Sequence, residues 1–227
     1  KTGLIKIAVP TDFPPYGFVG PDFKPQGLDV DMAGYLADKM GVKIELIPVT
    51  SANRIPYLQT GKADLVISTL GKNAERAKVI DFTAAYSPFF QAVFGPKSMP
   101  LGTFDQLSDK TIAVTRGAIE DQELTKVAPT SADIKRFEDN NATVSAFVSG
   151  QVQLIATGAS VAGNMIARNP QLNAEYKLLL KDSPNFIGVA KGQDLLREKV
   201  NDIIAQARDS GDIDKLSKQW LGRPAGN

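Results

Sequence analysis

The sequence predicts an α/β protein in two lobes, each a mainly parallel sheet flanked by helices, with two crossover strands as the hinge. Three observations predict this. Apolar runs of strand length alternate with stretches of helical periodicity. The alternation breaks at the extended, proline-punctuated segment Ser87 to Pro96 and then starts again. A second break at Asp182-Ser183-Pro184-Asn185 precedes two closing helices. The first lobe is therefore read as discontinuous, residues 1–92 and 187–227, and the second as residues 93–186.

In chain order, Leu4-Ile5-Lys6-Ile7-Ala8-Val9 reads as the first strand. Thr11 to Phe18 follows as a rigid loop with three aromatics, kept out of helix by Pro14 and Pro15. Gly27-Leu28-Asp29-Val30-Asp31 feeds a helix whose face carries Ala33, Leu36, Ala37 and Met40 and which Gly41 ends. Asp29 and Asp31 fit a helix cap and its first-turn charge better than calcium ligands, because no full set of spaced oxygens follows. Val42, Ile44 and Leu46 alternate with charges as a strand, Asn53 to Thr60 is a helix with Pro56 near its start, and Ala63 to Ile67 is a buried strand.

The second lobe repeats the pattern. Thr111 to Thr115 is a strand, Gly117 a turn and Ala118 to Val127 a helix. Ile134 to Phe137 is a short strand, Asn141 caps a helix running to Val148, and Val152 to Ala156 is the next strand. Thr157-Gly158-Ala159-Ser160 opens a helix that ends before Asn169-Pro170. Tyr176 to Leu180 and Phe186 to Ala190 are the last strand-length runs, and helices Leu195 to Ala207 and Ile213 to Leu221 close the chain, with Trp220 as an anchor.

Composition removes several classes of function. Lys plus Arg total 26 against 25 Asp plus Glu, a net charge of +1 that gives no electrostatic argument for nucleic acid. Without cysteine there are no disulfides, thiolate metal sites or cysteine nucleophiles. Without histidine the commonest general base and zinc ligand are missing too. No cofactor or metal is expected. No apolar run reaches the roughly 18 residues of a membrane span. The sequence starts at Lys1 without a charged-then-apolar leader, so an export signal is expected to be absent from it.

One stretch concentrates binding chemistry. After the buried strand come Ser68, Thr69 and Gly71, then Asn73 as a helix N-cap with Glu75 and Arg76 in the first turn. Free amides at a strand-to-helix junction favour an anion, and the planar guanidinium of Arg76 suits a carboxylate or phosphate. The alternative is that Arg76 pairs with Glu75 or Asp81 on the surface. Ligands of open parallel sheets sit beyond the carboxyl ends of strands, where Asp12 and Ser68 fall. The aromatic loop with Phe13 and Tyr16 fits equally an apolar lid or a satellite core.

These residues resemble the periplasmic solute-binding proteins of polar amino-acid uptake systems, the type II fold also called family 3. The resemblance rests on Gly27 to Asp31, Leu58 to Asp64, Glu75-Arg76 before Asp81-Phe82-Thr83, Phe147 to Gly150, and Asp214-Lys215-Leu216 with Lys218-Gln219-Trp220. Asn53-Arg54-Ile55-Pro56 is similar to the glutamate/aspartate-binding branch. It implies a periplasmic two-lobed clamp, monomeric, not an enzyme and not inserted in the membrane, that delivers an amino acid or small carboxylate to an inner-membrane ABC permease. It implies that Arg76 holds the ligand's α-carboxylate with Ser68, Thr69 and Gly71. Phe13 and Tyr16 would pack on the ligand side chain, and amides of Gly117, Ala118 and Ile119 would reach the carboxylate. Asp12, Asn53, Thr115, Glu120 and Gly158 complete the candidate set.

The departures bear on the ligand. Family members carry hydroxyl residues where this chain has Gly71, Ala118 and Ile119, and an Asp for the ligand's ammonium where it has Gly158. Either Glu120 or Asp12 takes over, or the ligand lacks an ordinary α-amine; the second is the expectation. The main rival is a dehydratase of cyclic carboxylates such as prephenate or arogenate, with Glu120 and Glu138 as its candidate acids. The third class is the sensor domain of a receptor or kinase.

Overall fold

A computed structural model of the protein describes residues 3–225. The chain divides into two compact units, one running to Pro88 and resuming at Pro184, the other Phe89–Ser183.

Unit 1 starts with β1 (Leu4–Val9), as expected. The segment predicted as a rigid loop instead forms β2 (Asp12–Phe13) and β3 (Gly17–Val19), which with β4 (Pro25–Gln26) make a three-stranded antiparallel sheet. Strands of two and three residues leave too short an alternation to be read from sequence. α1 (Leu28–Met40) buries Met32, Ala33, Leu36 and Ala37 and ends at Gly41. β5 (Lys43–Pro48) pairs parallel with β1, and α2 (Arg54–Gln59) follows a single 3-10 turn, Ser51–Asn53. β6 (Leu65–Leu70) lies parallel to the other flank of β1 and leads through α3 (Ala74–Ala77) into β7 (Ile80–Pro96). Ala8, Val66, Leu58, Leu70 and Ile80 pack into one core, each large side chain contributing about 2 kcal/mol by leaving water.

Unit 2 follows the same plan. β8 (Thr111–Thr115), α4 (Ile119–Val127), β9 (Asp133–Phe137), α5 (Asn140–Val148), β10 (Leu154–Gly158) and α6 (Ala159–Arg168) alternate, with β9 and β10 parallel to the two sides of β8. β7 adds antiparallel to β10, opposing Gly158 with Gln91. The cap of α5 is Asp139, whose side chain accepts the Ala142 amide at 2.8 Å, two residues before the predicted Asn141. Val93, Leu107, Ile112, Val114, Leu124 and Leu154 form its core.

The two apolar runs expected as separate strands are one 17-residue strand, β11 (Ala174–Ala190), antiparallel to β6 over its last residues. Hence the unit boundaries at 88/89 and 183/184 fall three or four residues before the expected 92/93 and 186/187. Both lie within continuous strands, where no change of composition marks them. α7 (Asp194–Ser210) and α8 (Asp212–Leu221) complete unit 1, and Trp220 donates from Nε1 to Asp31 at 2.8 Å. Among the described residues no helix is long and apolar enough to cross a membrane.

Candidate ligand site

In unit 1 the polar groups gather at the carboxyl end of β6. Thr69 sits there at φ 46°, in the left-handed region where a β-branched residue is strained by on the order of 1 kcal/mol or more. Two side chains from elsewhere in unit 1 hold it. Its amide donates to Asp29 Oδ2 at 3.1 Å, while Arg54 Nη1 donates to the carbonyls of Ser68 at 2.8 Å and Thr69 at 3.2 Å.

Asp29 has no exposed surface, and its second oxygen accepts the Tyr86 hydroxyl at 2.5 Å. Burial pushes its carboxyl up to about 8, against the pull of the Tyr86 hydroxyl, the Thr69 amide and the Arg54 charge. Burial likewise raises Tyr86 well above the phenolic range, helped by the charge of Asp29. This corrects the reading of Asp29 as a cap: Gly27 holds the N-cap position, and Asp29 faces inward from the first turn. One signal for it was in the sequence. Asp29 shares the i, i+3, i+4, i+7 stripe with Met32, Ala33 and Leu36, so the pattern places a carboxylate on the buried face.

Arg76 doubles back toward the same turn. Asn73 caps α3 as expected, its Oδ1 accepting the Arg76 amide at 2.8 Å, and Arg76 Nη1 donates to the Gly71 carbonyl at 2.7 Å. The surface-pairing alternative does not hold: Glu75 pairs with Lys78 at 3.2 Å and Asp81 with Lys191 at 3.0 Å. Among the described residues no carboxylate lies within ion-pair distance of Arg76. Arg76 is also close enough to add its charge to the burial that lowers the pKa of Arg54. Half-buried cations near each other repel, and an anion beside them relieves that repulsion.

Of the remaining unit 1 candidates, Asp12 is exposed and Asn53 half-buried at the start of α2. Tyr16 has no exposed surface and donates its hydroxyl to the Pro88 carbonyl at 2.7 Å. It belongs to the core and supports the half-buried Phe13 ring, stacked 6.0 Å away, so only Phe13 has surface to present.

In unit 2 the candidates line the carboxyl ends of β8 and β10. Thr115 shares hydrogen bonds of 2.8 Å with Asn140 and with Thr143. Two of the three amides expected to meet a carboxylate are engaged inside the unit: Gly117 donates to Asp121 at 2.9 Å and Ala118 to the Thr115 carbonyl at 3.1 Å. Ile119 is exposed, the residue being 45% accessible. Burial would raise Asp121, but the Gly117 amide and Arg136 outweigh it and hold the carboxyl below its ordinary range. Glu120, buried beside it, goes the other way: burial raises its pKa, and Asp121 adds a like charge. Gly158 caps α6 with extended backbone, and a Cβ there would meet nothing within 4 Å. Of the two acids weighed for a dehydratase, Glu138 is exposed and paired with Arg116 at 3.1 Å.

The family model described as bacterial extracellular solute-binding proteins, family 3, matches residues 5–223. An ABC transporter glutamine-binding protein of Bacillus subtilis (strain 168) is 29% identical over 223 residues, covering 96% of this chain and 81% of that protein. Among solved structures, an ancestral cationic amino acid solute-binding protein aligns with a TM-score of 0.73 at 28% identity, covering 96% of each chain. An ancestral cyclohexadienyl dehydratase aligns with a TM-score of 0.78 over 97% of this chain and 93% of that one, and at 24% identity it shows a shared fold alone.

Proposed function

The chain belongs to the bacterial extracellular solute-binding proteins, family 3, and from that premise we propose that it captures an amino acid by its carboxylate at Arg76 and hands it to an ABC permease. The observation that carries this is the Arg76 guanidinium, turned onto the Gly71 carbonyl with no carboxylate of its own at ion-pair distance among the described residues. Arg76 presents a fork of donors for a bidentate carboxylate. Ser68, Thr69 and Gly71 supply the turn, and Phe13 supplies an apolar surface for the ligand side chain. Asn53 and Asp12 flank this set. Thr115, Ile119, Glu120 and Gly158 are the residues proposed from unit 2, the Gly117 and Ala118 amides being spent on Asp121 and Thr115.

The protein acts by binding, not by catalysis. A dehydratase on this scaffold needs an acid and a base in one site. Glu138 is spent on Arg116, which leaves Glu120 alone. The proposed location is periplasmic and the proposed state monomeric. Titration calorimetry against the twenty amino acids tests the reading. One of them binds, and Arg76→Ala weakens it by about 30-fold or more, since a buried charge-assisted pair is worth roughly 2–3 kcal/mol. Unchanged affinity in that variant places the carboxylate elsewhere.

A further inference from the structure

Three charged side chains are hydrogen-bonded to one turn of unit 1. Asp29 Oδ2 accepts the Thr69 amide at 3.1 Å, and Arg54 Nη1 donates to the Ser68 and Thr69 carbonyls at 2.8 and 3.2 Å. Arg76 Nη1 donates to the Gly71 carbonyl at 2.7 Å. Asp29 has no exposed surface, and both guanidinium groups are half-buried, so their charges are screened far less than surface charges are. Burial lowers the pKa of Arg54, Arg76 adds to that, and Asp29 opposes it. An ionised Asp29 therefore offsets part of the positive field on the turn. A protonated Asp29 leaves that field to an anion beside Arg76.

The surroundings of Asp29 suit both states of the acid. The titratable groups that face it are Tyr86 of β7 and Arg54 of α2, with Tyr16 acting in turn on Tyr86. Of the elements packed on α1, β3, β4 and β6 carry no titratable side chain, and no charge on β1, β5, α7 or α8 is among the groups that shift Asp29. Asp31, on the same helix, is bonded by Trp220. The Tyr86 hydroxyl, 2.5 Å from Asp29 Oδ1, donates to the carboxylate and can accept from the protonated acid. A carboxylate brought to Arg76 puts a second negative charge beside the same turn, and like charges disfavour ionisation of the buried one.

We propose that Asp29 is a positioning residue coupled to capture: it holds a proton whenever the ligand's carboxylate is docked at Arg76, and takes one from water where the free protein has lost it. The inference rests on the carboxylate reading given above. Burial sets the pKa of the free protein at about 8, so near pH 7 the carboxyl is already mostly protonated and affinity is flat. Above that pKa the complex binds more protons than the free protein, so affinity falls as pH rises, by at most about tenfold per pH unit. The device makes capture strongest in neutral or acidic surroundings and weakens it in alkaline ones.

The test is calorimetric titration from about pH 6 to 9.5 with an amino acid that binds at pH 7, on wild type, Asp29→Asn, Tyr86→Phe and Arg76→Ala. The ligand's own ammonium titrates alike with each protein, so the difference between wild type and Asp29→Asn isolates Asp29. Wild-type affinity falls relative to Asp29→Asn by about threefold or more above pH 8, and paired buffers of different ionisation enthalpy show more protons taken up per ligand by wild type. A merely structural Asp29 shifts affinity equally at every pH. Tyr86→Phe removes a hydrogen bond that favours the ionised acid, so the falling edge moves to higher pH, which decides the matter should Asp29→Asn fail to fold. Parallel curves for wild type and Asp29→Asn, or an edge that Tyr86→Phe leaves in place, overturn this inference alone while Arg76→Ala still abolishes binding. Affinity unchanged in Arg76→Ala overturns the carboxylate reading and this inference with it.

Discussion

Replacing Asp29 with asparagine changes how stability depends on pH. The folded carboxyl, raised by burial to about 8 from 3.8, keeps its proton across a range where the unfolded chain has lost it. Below pH ~4 both states are protonated, and the buried neutral group contributes fully. As pH rises toward 8 the unfolded state binds fewer protons than the folded one, so stability falls. The gap is about four pKa units, and at about 1.4 kcal/mol per unit the loss approaches 6 kcal/mol. The asparagine side chain would keep an acceptor for the Tyr86 hydroxyl or the Thr69 amide, and it has no charge to titrate. Urea unfolding followed by fluorescence of the single Trp220, which lies in the same unit, gives the difference curve between wild type and Asp29→Asn. The wild type loses stability relative to the variant as pH rises through this window. Parallel curves from about pH 5 to 8 would refute the buried, proton-holding carboxyl and with it the account of the Thr69 turn.

Further expectations concern neighbouring groups. Arg54→Met removes the donor shared by the Ser68 and Thr69 carbonyls, so amino-acid affinity drops by about tenfold and stability by roughly 1–3 kcal/mol, measured by calorimetry and urea titration. Gly27→Ala fails to fold or loses several kcal/mol, because its φ is 131° and a Cβ would lie 2.3 Å from the Tyr16 carbonyl oxygen; soluble yield and circular dichroism show which. Incubation with prephenate or arogenate yields no aromatic product by ultraviolet absorbance, and product formation would restore the enzyme reading.

Much of the molecule was written locally. β1, the capped start of α3 and the βαβ alternation follow from periodicity and from Asn73 or Gly41 at their ends, which act over a turn or two of chain. The same local chemistry placed Arg76 at the mouth of β6. It had no means of deciding whether Arg76 would pair with Glu75 or Asp81, since those carboxylates went to Lys78 and to the distant Lys191.

The tertiary structure decided the rest, because burial and cross-strand register are properties of contacts far apart in sequence. Asp29 meets Thr69 across 40 positions and Tyr86 across 57, and only that enclosure turns an ordinary acidic residue into a proton-holding brace for a strained turn. The sequence alone determined the fold class and the guanidinium. Which polar groups would be sealed from water, and so which demand a partner, depended on the packed chain, because desolvation is a cost that no short segment can impose on itself.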